Sequence, residues 1–280
     1  MRACSDVELE EEVRRIHGGR PERFSLPCSF GTGPDGKRHA LLQRAGTTVC
    51  VGSTSVGDRA ARLIAARLDR PRPSPSELAD LLQELGGPAP MVLSADLGPV
   101  AGEAAGMAWG LGVNPRLHLA LYRYDGPPDP CRANRSGSRR ATREDVRAVA
   151  DFMQAFDTET DYHSWSGSGD RIDFTELAER SLESSVLHLI EQGGRPVAIG
   201  QRARTSSAGQ NRIGSVYVDP AHRRRGLGAS VVMSLVGEIL AEGAVPCLFT
   251  QQSDPASNGL YRTLDFTETE RLVHLEPTTH

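Results

Sequence analysis

The chain has 280 residues, 38% of them hydrophobic and 24% charged, the proportions of a globular protein long enough for two domains. Its net charge of −4 gives no bulk basic field to recruit nucleic acid, so a nucleic-acid partner is not expected. No apolar run approaches the roughly 18 residues of a membrane span, so no membrane partner is expected either.

The N-terminus turns acidic from Glu8 to Glu12 and carries no apolar signal-peptide core, which makes the cytoplasm the expected location. Cys4, Cys28, Cys50, Cys131 and Cys247 are odd in number and scattered, so neither a metal site nor a disulfide framework is expected. Cys247 reads as a small buried hydrophobe. Periodicity predicts a helix over 7–17, a strand over 47–51 and a helix over 56–68. Arg70-Pro71-Arg72-Pro73-Ser74-Pro75 reads as a stiff connector. A helix starting at Ser76, a strand at 91–93 and a strand over 117–124 complete a mixed α+β half, 1–130.

Residues 126–138 are poor in apolar side chains and rich in turn formers, as a linker should be. Thr142-Arg143-Glu144-Asp145 then opens a helix in capping-box fashion, with Val146, Val149, Met153 and Phe156 on one face. A second helix is predicted near 174–182. Strands over 186–190 and 197–200 follow, joined by a turn at 192–195.

The most specific pattern comes next. A strand ending Val216-Tyr217-Val218 stops at Asp219-Pro220, and Arg223-Arg224-Arg225-Gly226-Leu227-Gly228 follows at once. Leu227, Val231, Leu235 and Ile239 recur every fourth residue, so a helix with one buried face starts near Gly226. Such a turn gathers free backbone N–H groups, the positive end of a helix dipole and three arginines at one point, which suits a diphosphate. It is not a dinucleotide fingerprint, because Val231 stands where the third glycine would fall. Nor is it a Walker A loop, because Gly228 is followed by Ala229-Ser230 and no lysine.

After the next predicted strand, 245–250, comes Asp254-Pro255-Ala256-Ser257-Asn258-Gly259-Leu260-Tyr261-Arg262-Thr263-Leu264-Asp265-Phe266. Arg223-x-x-Gly226-x-Gly228 and this second segment together resemble the coenzyme A loop and the last helix of the GNAT superfamily of N-acyltransferases. Two positions depart from that family's pattern. Asp254 stands where an asparagine is usual, and Asp265 where a glycine ends the helix. The resemblance covers 138–280 and implies a GNAT domain there, a mixed sheet flanked by helices and split between its fourth and fifth strands. For 1–130 the layout resembles a degenerate GNAT-like domain without the phosphate turn, so it is expected to bind no acyl-CoA.

The resemblance implies acetyl-CoA, or another acyl-CoA, as cofactor. It would be held by Val216, Tyr217, Val218, Arg223, Arg224, Arg225, Gly226, Leu227, Gly228, Ala229, Ser230, Asp254 and Asn258. It implies Tyr261 as the acid that protonates the departing thiolate. No acid lies on the fourth strand, 212–218, so the general base is sought at Asp157, Glu159, Asp161, Tyr162, His163 or Trp165, or in a water relay. Asp161, Tyr162, His163 and Trp165 also suit a cationic amine acceptor. The reading is an acyl-CoA-dependent N-acetyltransferase acting on a small amine. Transfer to a protein amine, a silent acyl-CoA-binding regulatory module, and assembly as a homodimer all stay open.

Overall fold

The computed structural model describes residues 1–17, 19–24, 38–54, 62–66, 70–127, 137–160, 172–202 and 209–278. The chain forms two compact units. One contains Met1–Leu121, Thr250–Asp254 and Glu268–His280, and the other contains Tyr122–Phe249 and Pro255–Thr267. No described helix is long and apolar enough to cross a membrane.

The first unit runs β1 (Arg2–Cys4), α1 (Asp6–Ile16), β2 (Arg38–Arg44), β3 (Thr47–Thr54), β4 (Arg62–Ala66), α2 (Pro75–Leu85), β5 (Met91–Ser94), α3 (Gly98–Trp109) and β6 (Val113–Tyr124, through Leu121 in this unit). The C-terminal strand β12 (Phe266–Pro277) belongs to it from Glu268 onward, pairing antiparallel with β5 from Leu272↔Ser94 to Leu275↔Met91. Both α1 and α2 begin where the sequence supplies a capping box, Ser5 with Glu8 and Ser74 with Glu77. Leu78, Leu81, Leu82 and Leu85 of α2 pack into a core with Val49, Ile64, Met91, Leu93, Val273 and Leu275.

The helix expected over 56–68 is corrected over 62–66, where Arg62–Ala66 is β4, antiparallel to β3 and parallel to β5; 56–61 and 67–68 lie outside the described residues. Ile64, Ala65 and Ala66 are all buried. A central strand covered on both faces is a continuous apolar run, which periodicity does not separate from a buried helix.

The second unit runs β7 (Ser138–Arg140), α4 (Val146–Thr160), α5 (Phe174–Ser184), β8 (Val186–Gln192), β9 (Arg195–Arg202), β10 (Gln210–Val218), α6 (Leu227–Ala241), β11 (Val245–Gln251, through Phe249 in this unit) and α7 (Pro255–Thr263). Its strands lie in the order β11-β10-β9-β8-β7, with β10 and β11 parallel and the other pairs antiparallel. Helices α4 and α5 cover one face, where Val149, Phe152, Met153 and Ala178 meet Leu187, Leu189, Ile199 and Tyr217. Helix α6 covers the other. Its Val231, Leu235 and Ile239 are fully buried, and a Cβ on Gly200 of β9 would stand 2.2 Å from Val231 Cγ1. Gly200 is what lets the helix lie that close to the sheet. Cys247 is buried in β11, as its strand pattern predicts.

Candidate active site

Strands β10 and β11 pair only from Gln210↔Val245 to Ile213↔Leu248. Beyond Ile213, β10 pairs with β9 alone, and its register there shifts by one residue between Gly214 and Tyr217. Ser215 carries the strain of that bulge, at φ 49°. The β11 side of β10 after Ile213 therefore offers backbone groups that no described strand residue takes up. An extended ligand arm can pair there.

The strand ends in a tight turn. Asp219 Oδ1 accepts from Ala221 N–H at 2.8 Å, and the Asp219 N–H donates to Val197 C=O at 2.9 Å. Arg224 sits at φ 61° and Gly226 at φ 80°, so the chain reverses through two left-handed residues. Gly226 is the N-cap of α6, and no side chain caps that helix. The first intrahelical bond runs from Ser230 N–H to Gly226 C=O at 2.9 Å, which leaves the N–H groups of Leu227, Gly228 and Ala229 without helical partners. A Cβ on Gly226 would meet nothing within 4 Å among the described residues, so open space faces the turn there. Among the cradle arginines, Arg224 and Arg225 are exposed, and an Arg225 guanidinium nitrogen donates to Ala221 C=O at 3.2 Å. Open amides, a helix dipole and exposed guanidiniums fit a diphosphate.

Arg223 is held differently. Its guanidinium donates to both Glu159 oxygens at 2.8 and 2.7 Å, and its Nε donates to Val218 C=O at 2.9 Å. It also lies 5.3 Å from the centre of the Tyr217 ring. The Tyr217 hydroxyl donates to Glu159 Oε1 at 2.6 Å, and its ring packs edge-on against Phe152 at 5.9 Å. Burial, then the bond to Glu159, push the Tyr217 phenol up to about 12. Burial pulls Glu159 upward, but the bonds from Tyr217 and Arg223 outweigh it and leave its carboxyl below its ordinary range. A carboxylate so held is a weak base, and its geometry makes it a clamp between α4 and the basic turn. Sequence reasoning placed Glu159 among the bases. The clamp joins residues 58 and 64 positions apart, a separation no local pattern reports.

Helix α7 carries the remaining motif. Tyr261 is buried, with Tyr122 at 6.1 Å and Phe266 at 5.9 Å between ring centres. Asn258 is buried too, and its Oδ1 accepts from the Tyr122 hydroxyl at 2.8 Å. Asp265 ends the helix at φ 63°, the left-handed geometry for which aspartate is better suited than most residues. Asp254 immediately precedes the helix and donates its N–H to Gln251 C=O at 3.1 Å. Thus Val216, Tyr217, Val218 and 223–230 meet at the end of β10, and Tyr261 and Asn258 share one face of α7. The acceptor candidates Asp161, Tyr162, His163 and Trp165 lie outside the described residues.

The FR47-like protein family matches residues 198–274, the stretch that holds β10, the basic turn, α6 and α7. No curated protein matches the sequence. Among solved structures, a Drosophila protein superposes with a TM-score of 0.65 at 14% identity, over 99% of this chain and 98% of that one. A GCN5-related N-acetyltransferase from Sphaerobacter thermophilus gives a TM-score of 0.59 at 16% identity, over 99% of this chain and 94% of that one. A tandem GNAT protein from the clavulanic acid biosynthesis pathway gives 0.55 at 11% identity, over 99% and 97%. The chain has the GNAT fold.

Proposed function

We propose that this protein is an acyl-CoA-dependent N-acyltransferase that moves an acetyl group to the primary amine of a small molecule. The observation that carries the reading is the uncapped N-terminus of α6, set at the end of a strand that has parted from its parallel neighbour. The first feature suits a diphosphate and the second an extended arm ending in a thioester. Leu227, Gly228 and Ala229 would hold the diphosphate through backbone N–H groups, with Arg224 and Arg225 adding charge-assisted bonds.

Bound there, acetyl-CoA supplies an acyl group on a good leaving thiolate. Backbone N–H groups of β10 after Ile213 would steady the arm and the charge that develops on the carbonyl oxygen. The amine nitrogen forms the new C–N bond as the C–S bond breaks. The nitrogen gives up one proton to water or a base, and the sulfur takes one from Tyr261. Such proton transfer is typically worth about 10²–10⁴ in rate.

The rival reading is a silent acyl-CoA-binding module. It is favoured by one observation: β10 bears no acid over 212–218, and Glu159 is spent on Arg223 and Tyr217. Calorimetry with acetyl-CoA followed by thiol release across an amine panel tests both. Binding with amine-dependent release supports the enzyme, binding without release supports the module, and no binding overturns both.

A further inference from the structure

One row of side chains at the split in the sheet is used by nothing described above. Ile213 lies directly across from Arg202, and Arg202 binds Glu238 on α6 and Glu242 at its C-terminal cap. Ile213 therefore faces α6. Strand alternation puts Gln210, Arg212 and Gly214 on the opposite face, the one covered by α4 and α5. The β11 register is unbroken over 210–213, so no bulge disturbs that alternation. Gln201, across from Gly214, marks the same face, and its amide donates to Ser185 Oγ at the end of α5.

Three properties of this row point to a ligand. Gln210 is 2% exposed, and both its amide oxygen and its amide nitrogen lack a hydrogen-bond partner among the described residues. A buried amide is seldom left so, because each unmet group forfeits its water. Arg212 is half-buried and has no hydrogen-bond or ion-pair partner among the described residues. Other arginines of the unit do have carboxylate partners: Arg139 with Asp145, Arg140 and Arg202 with Glu238, and Arg223 with Glu159. Finally, a Cβ on Gly214 would meet nothing within 4 Å among the described residues, so the described face is open beside Arg212. Successive members of the row stand about 7 Å apart. The basic turn lies at the C-terminal end of β10, so a donor arm threaded from there reaches Gly214 before Arg212 and Gln210. An acceptor approaching from the other end meets Gln210 and then Arg212.

We propose that Arg212 and Gln210 anchor a carboxylate on the acceptor, which makes the preferred acceptor an amino acid or a similar amine bearing a carboxylate. The planar guanidinium fork matches a carboxylate in a two-bonded arrangement, and the Gln210 amide supplies a further donor. This deepens the acyltransferase reading and rests on it.

The test uses the full chain and matched pairs of an amino acid and its carboxamide, assayed by thiol release from acetyl-CoA. Calorimetry of the N-acetylated products on the coenzyme A-loaded protein runs beside it, as a readout that needs no turnover. The wild type should favour the carboxylate member by about 10- to 10²-fold, since charge-assisted bonds are the strong ones. Arg212→Gln should bring the ratio near 1, and Arg212→Lys should keep part of it. Coenzyme A affinity should change little in either variant. Equal use or equal binding of carboxylate and carboxamide by the wild type overturns the proposal, as does failure of every carboxylate to bind. So does an unchanged ratio in Arg212→Gln. Absence of coenzyme A binding by the wild type overturns the acyltransferase reading itself, which keeps the two failures apart.

Discussion

Tyr261 combines a buried ring with the only motif position assigned to acid chemistry. Its packing against Tyr122 and Phe266 survives removal of the hydroxyl, so Tyr261→Phe isolates the proton. Transfer should slow by about 10- to 10³-fold, the lower part of the acid–base range because water can stand in, while acetyl-CoA affinity holds. Steady-state rates and calorimetry on the one variant decide it, and a matched loss of both would make Tyr261 a positioning residue. Gly226 is the complementary case, with φ 80° and open space beyond its Cα. Gly226→Val forces a β-branched residue into left-handed backbone and fills the space a diphosphate would use. Coenzyme A affinity should fall at least tenfold in calorimetry, and an unchanged affinity would make the turn structural. The turn was legible in the sequence because glycine and arginine advertise backbone geometry and charge wherever they stand. Glu159 was legible as an acid near the site but not as a clamp, since its partners arrive from another strand and turn. The row of Gln210, Arg212 and Gly214 was not legible as a site at all. Its meaning lies in which partners are absent, and a sequence does not show that.

At the scale of elements, close approach and capping decide where helices sit. Gly200 makes room for Val231 of α6, and the 2.2 Å separation a Cβ would create cannot be relieved by a stiff β-branched neighbour. Gly200→Ala should destabilise the second unit by about 1–3 kcal/mol in chemical denaturation, by overpacking. An effect near zero would show that α6 can shift outward freely. Asp145 opens the path into α4. It accepts from Thr142 N–H at 2.7 Å and from Arg139 at 2.7 and 2.8 Å. Chiefly because of Arg139, and despite burial, its carboxyl lies at about 2. A depressed carboxylate pKa adds stability that is complete above its unfolded value, roughly 3.9, and is lost as pH falls through the folded one. Asp145→Asn should therefore cost about 1 kcal/mol at neutral pH, the scale of a helix cap, and the difference should close toward pH 2. A gap independent of pH would contradict the charge argument. The capping box at Thr142 and Asp145 was plain in the sequence, as was the stripe of α6, because both are local. Strand β4 was not, because what makes 62–66 a strand is β3 and β5 on either side.

At the scale of the whole chain, the composition suggests a linker at 126–138, while the compact units are each built from more than one stretch of the chain. The second unit begins at Tyr122, whose hydroxyl bonds Asn258, and the last strand passes into the first unit at Glu268. No linker signal marks that crossing, since β12 is continuous from Phe266 to Pro277. The crossing makes a sharp prediction about a chain ending at Thr267. In the first unit that deletion removes Leu272, Val273 and Leu275, all buried, and all four registered pairs to β5. It also removes Glu270, whose carboxylate receives Arg23 Nε at 2.7 Å and a second guanidinium nitrogen at 2.6 Å. Arg23 is 5% exposed, so it would be left as a buried charge with, among the described residues, the Ala66 carbonyl at 2.8 Å to answer it. Stranding one half of a buried pair costs about 3–5 kcal/mol, and each lost core side chain adds about 1.5–3 kcal/mol. Together these approach the roughly 5–15 kcal/mol that holds a domain folded, so the first unit should open. The second unit keeps Phe266 against Tyr124 and Tyr261, at 5.3 and 5.9 Å, and should stay closed. Hydrogen exchange read by mass spectrometry separates the two. Peptides from β3 and β5 should lose protection in the shortened chain, while those from β9 and α6 keep it and coenzyme A still binds. Glu270→Gln, which keeps the strand and removes only the charge, should give a smaller loss confined to the first unit. Full protection of β5 in the shortened chain would mean that β12 merely covers an already stable sheet.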